Sequence, residues 1–112
     1  MKDNEKSIQA YKILFEVKAK NDILVSTTKA YWDVITHVKH PALRGKEKEV
    51  KRALFDPDEI RISKKDNSVV LFYRKIGRHY LCVVVRVLKR KGFIITAYLT
   101  DKIKEGQLKW KR

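Results

Sequence analysis

Apolar positions along the chain change period several times. Tyr11, Ile13, Phe15 and Val17 alternate with Lys12, Leu14, Glu16 and Lys18, which predicts a first strand with one wetter face. Lys20, Asn21 and Asp22 supply turn chemistry, and Ile23 to Ser26 reads as a short second strand that adds a small hairpin to the sheet. The period then lengthens. From a cap at Thr27 or Thr28 a helix runs to about Lys39, with Tyr31, Val34, Ile35 and Val38 at helical spacing on the face expected to be buried. Pro41 ends it and forces His40 toward extended backbone. Gly45 separates that corner from a second helix, Lys46 to Phe55, with Val50, Ala53 and Leu54 toward the core, and Asp56-Pro57-Asp58 stops it.

The remainder reads as strands: Glu59 to Ser63, a turn at Lys64 to Ser68, then Val69 to Lys75 carrying Phe72, Tyr73 and Arg74. After Ile76 and Gly77, the run Leu81 to Leu88 is β-branched, apolar on both faces and too short for a membrane span, so it reads as a central strand. Phe93 to Thr100 returns beside it. Helices first and then four consecutive strands joined by short turns predict an α+β fold. N-terminal helices pack on one face of a four-stranded antiparallel sheet, with the N-terminal hairpin as its extension, and the other face stays open.

Arg86 is the one charge in the central strand, and burying it without a partner would be costly. It needs an acceptor or a position where the sheet meets an anion. If Arg90, Lys91 and Gly92 form a three-residue loop with Gly92 as a left-handed bulge, Arg86 lies opposite Thr96 and Val84 opposite Tyr98. A two-residue loop pairing Lys89 with Gly92 would instead set Thr96 opposite Val85 and turn Arg86 to the other face. The first register gives Gly92 a task and gathers an arginine, a hydroxyl and a phenol into a phosphate site. Strand preference alone would also account for Thr96 and Tyr98.

Charge narrows the class of partner. The 112 residues carry 27 basic and 13 acidic side chains, a net +14, enough chain for one domain over 1–112 with a modest core. Residues 51–112 hold seventeen basic and six acidic residues against ten and seven in the first fifty, so the ligand-facing half is the sheet half. Nucleic acid, an anionic membrane surface or an acidic protein would suit this excess. Cys82 is the only cysteine, which leaves no internal disulfide and no cysteine zinc site. Met1 to Ser7 reads as a flexible polar tail without an apolar signal core, and no apolar stretch approaches membrane-spanning length, so a cytoplasmic protein is expected.

The histidines offer proton chemistry. Asp33, His37 and His40 fall on one helix face, with Asp33 four residues before His37, close enough for its carboxylate to orient the imidazole. His37 and His40 supply too few ligands for a metal, and His79 sits at a turn. His40, fixed by its proline at a partly exposed corner, can reach a ligand, and an imidazole there suits an acid or a base.

The order VKHPAL, a helix ending in FDPDEIRIS, then VVLFYR, LCVVVRV, GFIITAYLTDKIKEG and a final tryptophan resembles the phage-type nuclease domains of the barnase, EndoU, colicin and RelE-like superfamily. The likeness covers about Ile23 to Trp110, and its most specific pieces are His40-Pro41, Pro57 and Gly92 to Tyr98. It implies a ribonuclease without metal or other cofactor, with RNA on the open sheet face. His40 would be the acid or base, Arg86 would bind the scissile phosphate, and Thr96 and Tyr98 would orient it or the attacking hydroxyl. Lys39, Arg74 and Lys111 would hold flanking backbone. The chemistry implied is attack of the ribose 2′-hydroxyl on the adjacent phosphate. The substrate would be RNA, with tRNA and ribosome-bound mRNA as candidates, and an acidic antitoxin or immunity protein would suit the basic face. No acidic residue at a motif position suggests a glutamate base. The alternative is a non-catalytic basic module in which Phe72, Tyr73 and Tyr98 stack bases.

Overall fold

Two short strands, β1 (Ile13–Lys18) and β2 (Leu24–Thr28), form the N-terminal hairpin, turned through Asp22 in the left-handed region at φ 67. The computed structural model describes residues 12–112, so the tail expected over Met1 to Ser7 and the strand start at Tyr11 lie outside the described residues. Thr28 caps helix α1 (Lys29–Val34) by accepting from the Tyr31 N–H at 3.1 Å. The helix then widens into a π-helical turn, Ile35–Lys39, closed by the His40 N–H donating to Ile35 O at 2.7 Å. A 3₁₀ turn, Pro41–Leu43, leads to α2 (Glu47–Phe55). Then come β3 (Glu59–Ile62), β4 (Val69–Ile76), β5 (His79–Leu88), β6 (Lys91–Thr100) and β7 (Gln107–Lys111).

These strands form one seven-stranded sheet in the order β1-β2-β6-β5-β4-β3-β7, with β2 parallel to β6 and every other pair antiparallel. The expected four-stranded antiparallel sheet is therefore corrected to a mixed sheet of seven. The hairpin is an integral part of it: Val25 is fully buried and Ser26 and Thr27 nearly so, because β2 lies between β1 and β6. Strand β7 escapes a period-2 pattern through a bulge, since Trp110 pairs with Ile60 and Leu108 with Arg61. Leu108 and Trp110 consequently face opposite sides. Trp110 joins the core and Leu108 is exposed.

Seven flat strands would hold their edges roughly 29 Å apart. Here Lys20, just past edge strand β1, stands 5.3 Å from the ring of Trp110 on the opposite edge strand, and its N–H donates to Leu54 O at 2.9 Å. The sheet therefore curls around α2. The core lies on this helix-covered face, where Ile35, Leu54, Phe72, Val83 and Ala97 meet. A smaller cluster, Leu71, Tyr73 and Cys82, occupies the other, open face. Among the described residues no helix is long and apolar enough to cross a membrane.

Two local expectations are also corrected. Trp32, Ile35 and Thr36 are the buried residues of the first helix, whereas Tyr31, Val34 and Val38 are 41%, 43% and 74% exposed. Trp32 sets this phase: its ring packs edge-on against Phe15 at 5.9 Å, and its Nε1–H donates to Glu47 Oε1 at 2.9 Å. In the last hairpin Leu88 pairs with Lys91, so Lys89 and Arg90 form a two-residue loop with Lys89 at φ 58. The extra residue is Ile95, bulged between Val85↔Ile94 and Val84↔Thr96. Gly92 serves close packing, since a Cβ there would come 2.6 Å from Val85 Cγ1.

Candidate nucleic-acid interface

The bulge at Ile95 determines which β6 side chains share the open face. Beyond it Thr96 stands opposite Val84 and Tyr98 opposite Cys82, while Arg86 stands opposite Phe93. Alternation along β5 then keeps Cys82, Val84 and Arg86 on one face with Thr96, Tyr98 and Phe93. Cross-strand rows follow: Tyr73, Cys82 and Tyr98 in one, Leu71, Val84 and Thr96 in the next, and Val69, Arg86 and Phe93 in the third.

Two loops rise over these rows and leave a cleft of about 550 Å³ whose floor includes Leu71, Val84, Thr96 and Tyr98. The β3–β4 loop contributes Lys64 and Lys65, and the β6–β7 loop contributes Lys104 and Glu105. Both loops are anchored. Asp66 accepts from the Ser68 N–H at 2.9 Å and from its hydroxyl at 2.7 Å, and the Arg86 guanidinium donates to Asp66 Oδ2 at 3.1 Å and Ser68 Oγ at 3.0 Å. The Ser68 hydroxyl and N–H, followed by Arg86, hold the Asp66 carboxyl below the ordinary carboxylate range. On the other loop, Ile103 packs on the open-face cluster, Tyr73 Oη donates to Glu105 O at 3.3 Å, and Arg61 Nη1 donates to Gly106 O at 3.1 Å. Gly106, at φ +88, lies so close to the sheet that a Cβ would meet Arg61 Cβ and Leu71 Cδ1 at 2.8 Å.

His40 arrives at the edge of this face from the helical layer. The β2–β6 ladder covers only Leu24↔Lys91 to Ser26↔Phe93, and past it the 3₁₀ turn packs against β6. The half-buried His40 ring thereby stands 6.1 Å from the Tyr98 ring, tilted by 41°. Its backbone is held on both sides, the N–H by Ile35 O and the carbonyl by the Leu43 N–H at 3.0 Å. Burial pushes the Tyr98 phenol well above its ordinary range, and neighbouring Cys82, Tyr73 and Glu105 push it further. The phenol therefore stays protonated and offers a hydrogen bond rather than a base. Burial raises the Cys82 thiol to about 11, which keeps it un-ionised. Among the described residues, the buried Thr96 Oγ1 has no hydrogen-bond partner.

The structure thus brings His40, Tyr98 and Thr96 together, with exposed Lys39 adjacent to His40 in the chain. Arg86 shares their face but lies four β5 residues, about 13 Å, beyond the Tyr98 row, and its charge is engaged by Asp66. Arg74 projects to the opposite face and donates to Asp56 Oδ2 at 3.1 Å. Lys111 on β7, opposite Glu59 of β3, lies four strands away from β6 in the sheet order. His37 parts from His40: its Nδ1 meets Asp33 O at 3.1 Å, while the Asp33 carboxylate pairs with Lys29. Phe72 and Tyr73 are 0% and 1% exposed, so neither is free to stack a base. Sequence reasoning missed Lys64, Lys65, Lys104 and Glu105. The available signal was a lysine-bearing turn before β4 and the KEG tripeptide before β7.

The chain matches no family model, no curated protein and no solved structure.

Proposed function

We propose that the protein binds RNA in the lysine-lined cleft and cleaves it by attack of the ribose 2′-hydroxyl on the adjacent phosphorus. The observation that carries this reading is the apposition of His40 to Tyr98, a residue on the floor of a cleft walled by Lys64, Lys65 and Lys104. RNA supplies its own nucleophile, so the protein needs one group to take a proton, another to return one, and cations facing the developing negative charge. In the reaction the 2′-oxygen loses its proton and bonds to phosphorus, the bond from phosphorus to the 5′-oxygen breaks, and that oxygen is protonated. A 2′,3′-cyclic phosphate and a 5′-hydroxyl result.

His40 performs one proton transfer, and Glu105, the carboxylate among the cleft-lining residues, performs the other. The Tyr98 phenol hydrogen-bonds a phosphate oxygen. The lysines carry the electrostatic stabilisation. Arg86, tied to Asp66, braces the loop that bears Lys64 and Lys65. Such activity would be exercised in the cytoplasm, and an acidic antitoxin or immunity protein would silence it by covering the same lysines.

A second reading, a binding module without catalysis, is favoured by the roughly 13 Å between the Arg86 row and the Tyr98 row, which keeps Arg86 and His40 from meeting on one phosphate. RNA cleavage in excess chelator, with analysis of the fragment ends, separates the two.

A further inference from the structure

Phe93 is an aromatic ring that the core does not use. Its neighbours Gly92 and Ile94 are buried on the helix-covered face, whereas Phe93 points to the open face and is 50% exposed. A single exposed aromatic is ordinary. This one stands directly opposite Arg86, and the adjoining row brings Leu88, 60% exposed, opposite Lys91. Lys89, Arg90 and Lys91 are all exposed at the end of the same hairpin. The ring is therefore bordered by cations, on the face that carries the cleft and about 13 Å from the Tyr98 row. That distance corresponds to no more than about four stacked nucleotides at 3.4 Å each.

We infer that Phe93 is a base-stacking platform for single-stranded RNA running from the cleft toward the hairpin, with Arg86 and the Lys89–Lys91 turn holding the neighbouring phosphates. This rests on the RNA reading of the cleft and adds the substrate class: a strand with at least one unpaired base beyond the cleavage point. Stacking tolerates any base because every base presents a π-face, while a duplex hides those faces in its own stack. Both hydrogen bonds of Arg86 to the β3–β4 loop leave from Nη1, so bracing that loop engages one arm of its guanidinium fork.

The test uses a 2′-O-methyl oligonucleotide, which lacks the attacking hydroxyl and so reports binding alone. Phe93→Ala and Phe93→Leu should each bind the single strand roughly five- to a hundredfold more weakly than wild type. Phe93→Trp should retain affinity and lose indole emission on binding. Duplex binding should change little in any variant. Full affinity in Phe93→Leu would reduce the ring to a greasy contact and overturn the inference, as would unchanged affinity in Phe93→Ala. A blue shift of Phe93→Trp on anionic phospholipid vesicles, with no response to RNA, would overturn it in favour of a membrane surface. Failure of the wild type to bind either nucleic acid removes the RNA reading of the cleft as well, whereas normal wild-type binding with an indifferent Phe93→Ala removes only the platform.

Discussion

The His40 imidazole lies 6.1 Å from the Tyr98 ring, and each residue is held by a different part of the fold. Pro41 and the π-helical turn fix His40, and the sheet row through Cys82 fixes Tyr98. An imidazole is thus set against a phenol that burial keeps protonated, and that phenol lies on the floor of a lysine-walled cleft. The consequences can be tested separately for charge, loop geometry and stability.

The cleft lysines should act through phosphate contacts. Replacing Lys64, Lys65 and Lys104 together by alanine should lower the slope of log affinity against log salt by about 2, since each phosphate contact on a single strand contributes about 0.7. Affinity for a single-stranded oligonucleotide titrated across a salt series checks this. An unchanged slope would move the RNA off this face.

The glycine that seats the β6–β7 loop should matter more than one in an open turn. Gly106→Ala combines a left-handed backbone with contacts of 2.8 Å to Arg61 and Leu71, and should cost about 2–4 kcal/mol. Gly77→Ala, at φ +57 with nothing within 4 Å, should cost about 1–2 kcal/mol. Urea unfolding midpoints order the two. Displacement of the loop in Gly106→Ala should also weaken RNA binding, because Lys104 and Glu105 leave the cleft with it.

Much of this architecture can be read in the residues. Turn chemistry at Asn21-Asp22, the Thr28 cap and the Asp56-Pro57-Asp58 stop act locally, so the elements they bound are legible without tertiary information. The sheet order is not, because the parallel β2–β6 pairing joins segments more than sixty residues apart in sequence, and the facing of β6 beyond Ile94 depends on the bulge at Ile95. Bulges also reassign Leu108 and Trp110, and no period-2 pattern anticipates them. At the site, His40, Thr96 and Tyr98 were visible as residue types at plausible positions. The cleft walls were not, since Lys64, Lys65, Lys104 and Glu105 acquire their place from loops folded back over the sheet by Arg86 and Arg61.

Far from the cleft, the chain end is tied to the end of α2. Arg112 binds Asp56 and Asp58, and Arg74 binds Asp56 from β4. The Arg112 hydrogen bond is the largest influence that holds the Asp56 carboxyl below its ordinary range. A lowered folded-state value means that the unfolded chain binds more protons in that window, so this contribution is present above about pH 4 and is lost as pH falls through the folded-state value. Urea midpoints should therefore decline between about pH 5 and about pH 2 less steeply in Asp56→Asn than in wild type. An identical acid slope in both proteins would remove this linkage.

The central claim is that His40 moves a proton in RNA cleavage. Incubation of wild type and His40→Ala with total RNA and tRNA in excess chelator, followed by end-group analysis, tests it most directly. Wild type should leave 2′,3′-cyclic phosphate and 5′-hydroxyl ends, and His40→Ala should bind RNA as tightly while cleaving roughly a hundred- to ten-thousandfold more slowly. Equal cleavage by the two proteins, or tight salt-sensitive binding by wild type with no cleavage, would contradict the claim.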